Sequence, residues 1–279
     1  MLIGLTGIGG GSLMTPLLIL FAGVPPVVAI GTDLAYGAIT KTLGGWRHVR
    51  NGTVDLGVSK WLAIGSVPGS IAGVLIVEVL HERYGDSFNA TLLSIVAAAL
   101  FVVAISILAR ALFTMPREHE SVALTTRARA GAAGIGLVLG VILGITSVGS
   151  GALVGLALIM VFRLTPHRVV GTDVFHAALM LWAAGLAHLF VGNVDVALML
   201  NILAGSLPGV WIGTGLLPRV PATALRPALG CVLLGSALGV MNKAGAEVPA
   251  WTIVAVPALM GALAFVLQRL RPTPKVVTA

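Results

Sequence analysis

Two glycine-rich interruptions of apolar sequence, set 140 residues apart, constrain this chain more than any other feature. Thr6-Gly7-Ile8-Gly9-Gly10-Gly11-Ser12 returns as Thr146-Ser147-Val148-Gly149-Ser150-Gly151-Ala152. The same offset, without gaps, relates Gly4 to Gly144, Pro26 to Pro166, Gly31-Thr32-Asp33 to Gly171-Thr172-Asp173, His48 to His188 and Gly52 to Gly192. It also relates Asp55 to Asp195, Gly65-Ser66 to Gly205-Ser206, Pro68-Gly69 to Pro208-Gly209 and Gly73 to Gly213. One register held across such unlike residues marks a duplicated structural unit.

The surroundings of these repeats decide the solvent. The 279 residues are 57% hydrophobic and 10% charged, with a mean hydropathy of +1.04. A soluble domain carries about 25% charged residues, so this chain cannot coat a water-facing surface. Its apolar runs approach the ~20 residues that cross a bilayer. The expected fold class is an all-α polytopic membrane protein, and 36 glycines suit close helix packing in lipid. The net charge of +7 comes mainly from arginines between spans and in the tail, among them Arg47, Arg50, Arg127, Arg129, Arg219 and Arg271. That is the positive-inside pattern and calls for no nucleic acid. A lone Cys231 makes no internal disulfide and no metal cluster. No basic segment precedes the first apolar run, so no signal peptide is read. Only Met1 to Leu5 precede the first glycine-rich copy, whereas Gly131 to Leu143 lead into the second. The expectation is that the chain lacks the first arm of its first helix.

The organisation reads as a first transmembrane repeat at 1–113, a polar connector at 114–128, a second repeat at 129–268 and a basic tail at 269–279. Spans are expected near 27–47, 56–80, 88–113, 167–190, 196–217, 224–241 and 251–267, with a long interrupted stretch at 130–162. The turn at 47–52 is basic, while its counterpart at 189–195 has no positive charge. The segment 24–27 is uncharged, while its counterpart carries Arg163, His167 and Arg168. Equivalent loops then lie on opposite sides, so the repeats are inverted. This in turn makes 130–162 a hairpin turning between Ser147 and Gly151, which enters and leaves on one side.

Several residues are candidates for chemistry. Irregular backbone at membrane depth survives only where protein or a wet cavity surrounds it. Gly9, Gly10 and Gly11 leave amides uncovered, and Ser12 or Thr15 can cap the helical arm that follows. Thr6 and Thr146 flank the breaks, and Gly149, Ser150 and Gly151 repeat the arrangement. Together they predict amide and hydroxyl donors for an anion; tight packing through small residues is the structural alternative. Asp33 and Asp173 cost ~2.5–3.5 kcal/mol each at a helix centre. Capping of helix arms near Pro26 and Pro166 is favoured for them over proton carriage. His48 and His188 end the second span of each half, and either reach interfacial water or couple protons. Lys41, unpaired by the repeat, offers a positive charge or a partner for Asp33. Ser66-Val67-Pro68-Gly69 and Ser206-Leu207-Pro208-Gly209 break a third helix, as a kink or as a hinge at Pro68, Gly69, Pro208 and Gly209. Asn201 stands close before the second of these. Asp55 and Asp195 read as surface N-caps. No metal, cofactor or nucleotide site is read.

At these motifs the sequence resembles the TauE/SafE family of sulfite exporters, over nearly the whole chain. The residues that carry the resemblance are Thr6-Gly7-Ile8-Gly9-Gly10-Gly11, Gly31-Thr32-Asp33, the His48-to-Gly52 and His188-to-Gly192 turns, and the Ser-x-Pro-Gly segments. The resemblance implies a bacterial or archaeal multi-pass inner-membrane carrier of small sulfur oxyanions or organosulfonates, with the glycine-rich segments as binding elements. The second copy departs from three glycines, reading Gly149-Ser150-Gly151, so the halves need not touch substrate equally. The expected function is a secondary exporter working by alternating access, not an enzyme, in the bilayer and compatible with an oligomer. A carrier or channel for another small anion is the alternative, with a membrane-embedded enzyme behind it.

Overall fold

The computed structural model describes residues 11–112, 119–121, 124–216 and 222–269. Within them the chain is a bundle of helices. The first half contributes α1 (Gly11–Leu20), α2 (Pro26–Arg50), α3 (Leu56–Tyr84) and α4 (Ser87–Leu112). The second contributes α5 (Thr126–Thr146), α6 (Leu153–Met160), α7 (Pro166–Phe190), α8 (Val196–Leu216), α9 (Ala222–Lys243) and α10 (Ala250–Arg269). Pro26 and Pro166 open α2 and α7, where a missing N–H is harmless and the fixed φ suits a first turn.

Among the described residues four helices are long and apolar enough to cross a membrane: Leu56–Tyr84, Ser87–Leu108, Thr126–Thr146 and Pro166–Phe190. They fall on the spans expected at 56–80, 88–113 and 167–190 and on the first arm of the interrupted stretch at 130–162. Helix α2 is 25 residues long, enough to span, but Asp33 and Lys41 interrupt its apolar character. Helices α8, α9 and α10, at 21, 22 and 20 residues, lie over the remaining expected spans.

Two helix pairs position everything else. In the first, α2 crosses its own counterpart α7. Cβ atoms built at Gly37, Gly45 and Gly185 would meet Leu181, the Phe175 backbone and the Ala35 backbone respectively. As the number rises on one helix it falls on the other, so the pair is antiparallel. The contact of Gly45 with Phe175 maps onto that of Gly185 with Ala35 at the 140-residue offset. Trp182 donates its indole N–H to the Thr42 hydroxyl at 2.8 Å, and these two positions are themselves equivalents. Antiparallel equivalent helices with self-matching contacts are the relation that two inverted copies produce.

In the second pair, α3 and α5 run parallel at close range. Gly65, Gly69 and Gly73 face the backbones of Ala133, Leu137 and Val141, while Gly136, Gly140 and Gly144 face those of Leu62, Ser66 and Ser70. No side chain fits between these backbones, which is how small residues hold helices together in lipid. Helix α3 runs unbroken through Pro68, and α8 through Pro208. The Ser-x-Pro-Gly segments are therefore not breaks, contrary to the sequence expectation. Proline removes one donor, and the Ser70 and Ser206 hydroxyls bond back to the Val67 and Leu203 carbonyls.

The buried apolar core runs through both halves, from Leu13 and Ile30 through Leu62, Leu92 and Leu100 to Leu143, Leu181 and Leu233. Large side chains such as Phe21, Leu75, Ile105, Val138, Phe190 and Val254 lie exposed on the outside. An apolar exterior around a packed core is what a lipid solvent asks for.

The ends of α5 and α6 return to one face of the bundle. His119, before α5, exchanges backbone hydrogen bonds with Arg163 and Thr165, after α6. Arg168 donates to the Val54 carbonyl beside them at 3.0 Å. The stretch from 126 to 160 is thus a hairpin with its turn at 147–152, inside the bundle. The face that holds its ends carries Arg47, Arg50, Arg127, Arg129, Arg163 and Arg168. The opposite face carries Glu82, Arg83, Asp86, Asp195, Lys243 and Glu247.

Candidate functional site

The turn of the hairpin is built by glycine and one strained serine. Helix α5 ends at Thr146, whose hydroxyl donates back to the Ile142 carbonyl at 2.6 Å and accepts the Val148 amide at 3.1 Å. Ser147 takes the left-handed conformation at φ 59° while its amide still bonds to Leu143. Gly149 and Gly151 follow at φ 119° and 102°, values that a side chain disfavours. A non-glycine residue in the left-handed region costs roughly 1–2 kcal/mol. The Ser147 hydroxyl, donating to Asp33 at 2.7 Å, offsets that cost.

Asp33 ties α1 to the second glycine-rich segment. Its Oδ2 accepts from Ser147 in the second segment and from Thr15, on the arm after the first, at 2.6 Å. Both hydroxyls and the carboxylate are fully buried. On the other half, Asp173 accepts the Gly151 amide at 3.1 Å. Asp33 is on α2 and Asp173 on α7, which run antiparallel, so the two carboxylates bracket the hairpin turn from opposite ends. The sequence reading expected caps near Pro26 and Pro166. The contacts lie instead at the glycine-rich segments, because each aspartate sits two helical turns beyond its proline.

The rest of Gly-Thr-Asp joins the halves. A side chain at Gly31 would strike the Asn193 carbonyl, and one at Gly171 the Thr53 carbonyl. The Thr32 hydroxyl accepts the Asp195 amide at 3.0 Å, and the Thr172 hydroxyl accepts the Asp55 amide at 2.8 Å. Asp55 and Asp195 in turn cap α3 and α8 by accepting from Val58 and Leu198. Asp55 is buried beneath Thr172, not at the surface as expected. Each triplet thus spends glycine on close approach, threonine on the other half's helix cap and aspartate on the central breaks.

Several buried polar groups have no formed hydrogen bond among the described residues. They include the Ser12 and Ser150 hydroxyls, Asp33 Oδ1, the Tyr36 hydroxyl, Lys41 Nζ and both ring nitrogens of His188. Lys41 is 6% exposed and lies in the field of Asp173, not paired with Asp33 as the sequence reading offered. Unsatisfied buried groups cost ~1–3 kcal/mol each.

The two histidines part company. His48 is partly exposed and bonds through Nδ1 to the Thr53 hydroxyl at 2.9 Å, closing its own turn. His188 is fully buried against the backbone of Gly144, which removes it from interfacial water. Asn201 is exposed on α8 and reaches no central group. Pro68 is exposed on the outer side of α3, while Gly69 faces α5. Pro208 is also exposed; the environment of Gly209 and the calls on Thr6, Gly9 and Gly10 lie outside the described residues. Gly11 opens α1 and Ser12 is buried beside it. Among the described residues no three His, Cys, Asp or Glu side chains gather as a metal site would need.

Sequence reasoning missed three partners. Thr15 and Ser147 were read as a cap and a turn, not as donors to one carboxylate. His176, which has no histidine counterpart in the repeat, meets the Ser66 hydroxyl through Nε2 at 3.1 Å. The equivalent of His176 is Tyr36, which lies beside Ser206, the equivalent of Ser66. The signal was present as position, since both residues share the 140-residue register, but not as residue type.

Residues 1–240 match the family profile described as sulfite exporter TauE/SafE. The chain is 39% identical to the probable membrane transporter protein YjnA of Bacillus subtilis (strain 168), over 85% of this chain and 93% of that protein. It is 29% identical to the probable membrane transporter protein YdhB of the same organism, over 84% and 94% respectively. No solved structure matches. A multi-pass helical bundle with a hairpin turning inside it, these transporter relatives and the profile agree: the chain is a membrane transporter and belongs to the sulfite exporter TauE/SafE family.

Proposed function

We propose that this protein is a secondary transporter that exports small sulfur-containing anions, such as sulfite or short organosulfonates, across the cell membrane by alternating access. The observation that carries this reading is the hairpin turn at 147–152, buried between Asp33 and Asp173. Free hydroxyls at Ser12 and Ser150 and the ammonium of Lys41 are part of the same buried interior. An oxyanion takes several donors at once and is held best where the donors are fixed before it arrives. Thr146, Gly149, Ser150 and Gly151 supply the second half's share, and Ser12, with Thr6, Gly9, Gly10 and Gly11, the first half's. A site between inverted halves is reached alternately from the two faces as one half rocks against the other.

The two capped crossings, Thr32 to Asp195 and Thr172 to Asp55, lie toward opposite faces. Opening one while the other holds exposes the centre to one side at a time. The basic face is assigned to the cytoplasm. The test is counterflow of labelled sulfite into proteoliposomes preloaded with unlabelled sulfite, an organosulfonate, sulfate or chloride. Accumulation driven by sulfite or the sulfonate supports a carrier for sulfur anions. Flux without counterflow, at conductances far above carrier turnover, contradicts it in favour of a channel.

A further inference from the structure

We propose that Asp33 is the proton-carrying group of the transport cycle, so that each anion crosses together with one proton bound to this carboxyl. This inference rests on the transporter reading above and adds its energy coupling.

The two equivalent carboxylates receive different donors. Asp173 has the Gly151 amide and the field of Lys41. Asp33 Oδ2 has two hydroxyl donors, and its Oδ1 is buried with no formed hydrogen bond among the described residues. The two short hydroxyl bonds on Oδ2 suit the ionised form of the resting site, and Oδ1, which has no donor to lose, is the atom left open to take a proton.

Among the described residues no lysine, arginine or histidine hydrogen-bonds or ion-pairs with Asp33. Helix α1 has no ionisable side chain, and neither do residues 87–109 of α4. Helix α8 offers no ionisable side chain, only the Ser206 hydroxyl, and α5 keeps Arg127 and Arg129 at its far end. On α2 itself stand Tyr36, one turn away, and Lys41, two turns away. Helix α7 brings Asp173, His176 and His188. Among the described residues Lys41 is the one buried lysine or arginine, against the two central carboxylates Asp33 and Asp173. An arriving anion adds a second uncompensated negative charge unless a proton arrives with it.

The geometry also gives the proton a mechanical consequence. Thr15 belongs to the first half's arm and Ser147 to the second half's break, and both bond to the same Oδ2. Hydrogen bonds to a carboxylate are about twice as strong as those to a neutral acid. Protonation on Oδ1 therefore loosens the joint between α1 and the hairpin turn, and deprotonation tightens it. The proton enters from the water on one side when the anion binds, and leaves to the other side with it.

The experiment uses full-length protein in proteoliposomes with a lumenal pH dye. Labelled sulfite and labelled methanesulfonate serve as probes, with membrane potential clamped and protein-free vesicles subtracted. Methanesulfonate stays ionised, so any proton moving with it is carried by the protein. The expected result is about one proton per anion for wild type, falling to none in Asp33→Asn, with the ratio kept in Asp173→Asn. Should Asp33→Asn fail to fold, Ser147→Ala decides. It removes one donor from the carboxylate, so the pH midpoint of transport should rise by about one unit. Anion transport without protons in wild type, an unshifted midpoint in Ser147→Ala, or loss of the ratio in Asp173→Asn but not in Asp33→Asn overturns this inference alone. Transport of neither anion by wild type overturns the carrier reading and this inference together.

Discussion

The Thr172 hydroxyl accepts the backbone amide of Asp55 at 2.8 Å, 117 residues away and from the opposite half of the chain. Its mirror contact, Thr32 to the Asp195 amide, stands at 3.0 Å. These two bonds fasten each half's α3-type or α8-type helix cap onto the other half's proline-led helix. Thr172→Val and Thr32→Val each leave a buried amide without an acceptor, which costs ~1–3 kcal/mol. Thermal unfolding in detergent should show both variants destabilised by similar amounts. A large loss in one and none in the other would contradict the equivalence of the crossings.

The parallel α3–α5 pair makes a second prediction. Gly140 faces the Ser66 backbone, while Gly134, nearly two turns earlier on the same helix, has open space where a Cβ would stand. Gly140→Leu should separate the helices and lower stability by ~1–3 kcal/mol or more. Gly134→Leu should leave the melting temperature near that of wild type. Equal tolerance at both sites would mean that backbone approach does not hold this pair.

Much of this architecture was legible in the sequence because duplication writes the same constraint twice. Gly31 and Gly171 each face a backbone carbonyl, and the chain can answer that only with glycine. The hairpin followed from loop charges, since Arg163 and Arg168 had to share a face with Arg50. What failed was the reading of local signals whose partners lie in the other half. Pro68 looked like a break, but α5 clamps α3 on its other side and the helix runs through. Asp33 looked like a cap for its own helix, because nothing in its neighbourhood names Ser147, 114 residues away. His188 looked interfacial because His48 is, and only the packing of α7 against Gly31 and Gly144 buries it.

Lys41 gives a prediction specific to the binding reading. Its ammonium is buried without a formed hydrogen bond among the described residues, and its field reaches Asp173. Lys41→Met keeps the stem and removes the charge. A hydrogen bond to a charged group is worth ~1.5–3 kcal/mol, so the KM for sulfite should rise on the order of 10- to 100-fold. Proteoliposome uptake over a concentration series measures this. An unchanged KM would make Lys41 a structural partner of Asp173 alone.

Sidedness can be read with single cysteines. In a Cys231→Ser background, Asn51→Cys and Asp86→Cys place thiols on exposed residues at opposite faces. A membrane-impermeant maleimide added to intact cells should label Cys at 86 and spare Cys at 51 until the cells are opened. The reverse pattern would invert the orientation assigned from the arginines.

The central claim is that the buried hairpin turn and Lys41 bind the transported anion. The most direct measurement is calorimetric titration of sulfite and methanesulfonate into purified wild type and into a Lys41→Met, Ser150→Ala double variant. The account predicts saturable binding to wild type, and binding weakened on the order of 100-fold or lost in the double variant, with its melting temperature retained. Wild-type affinity in a folded double variant would place the anion elsewhere in the bundle and contradict the site described above.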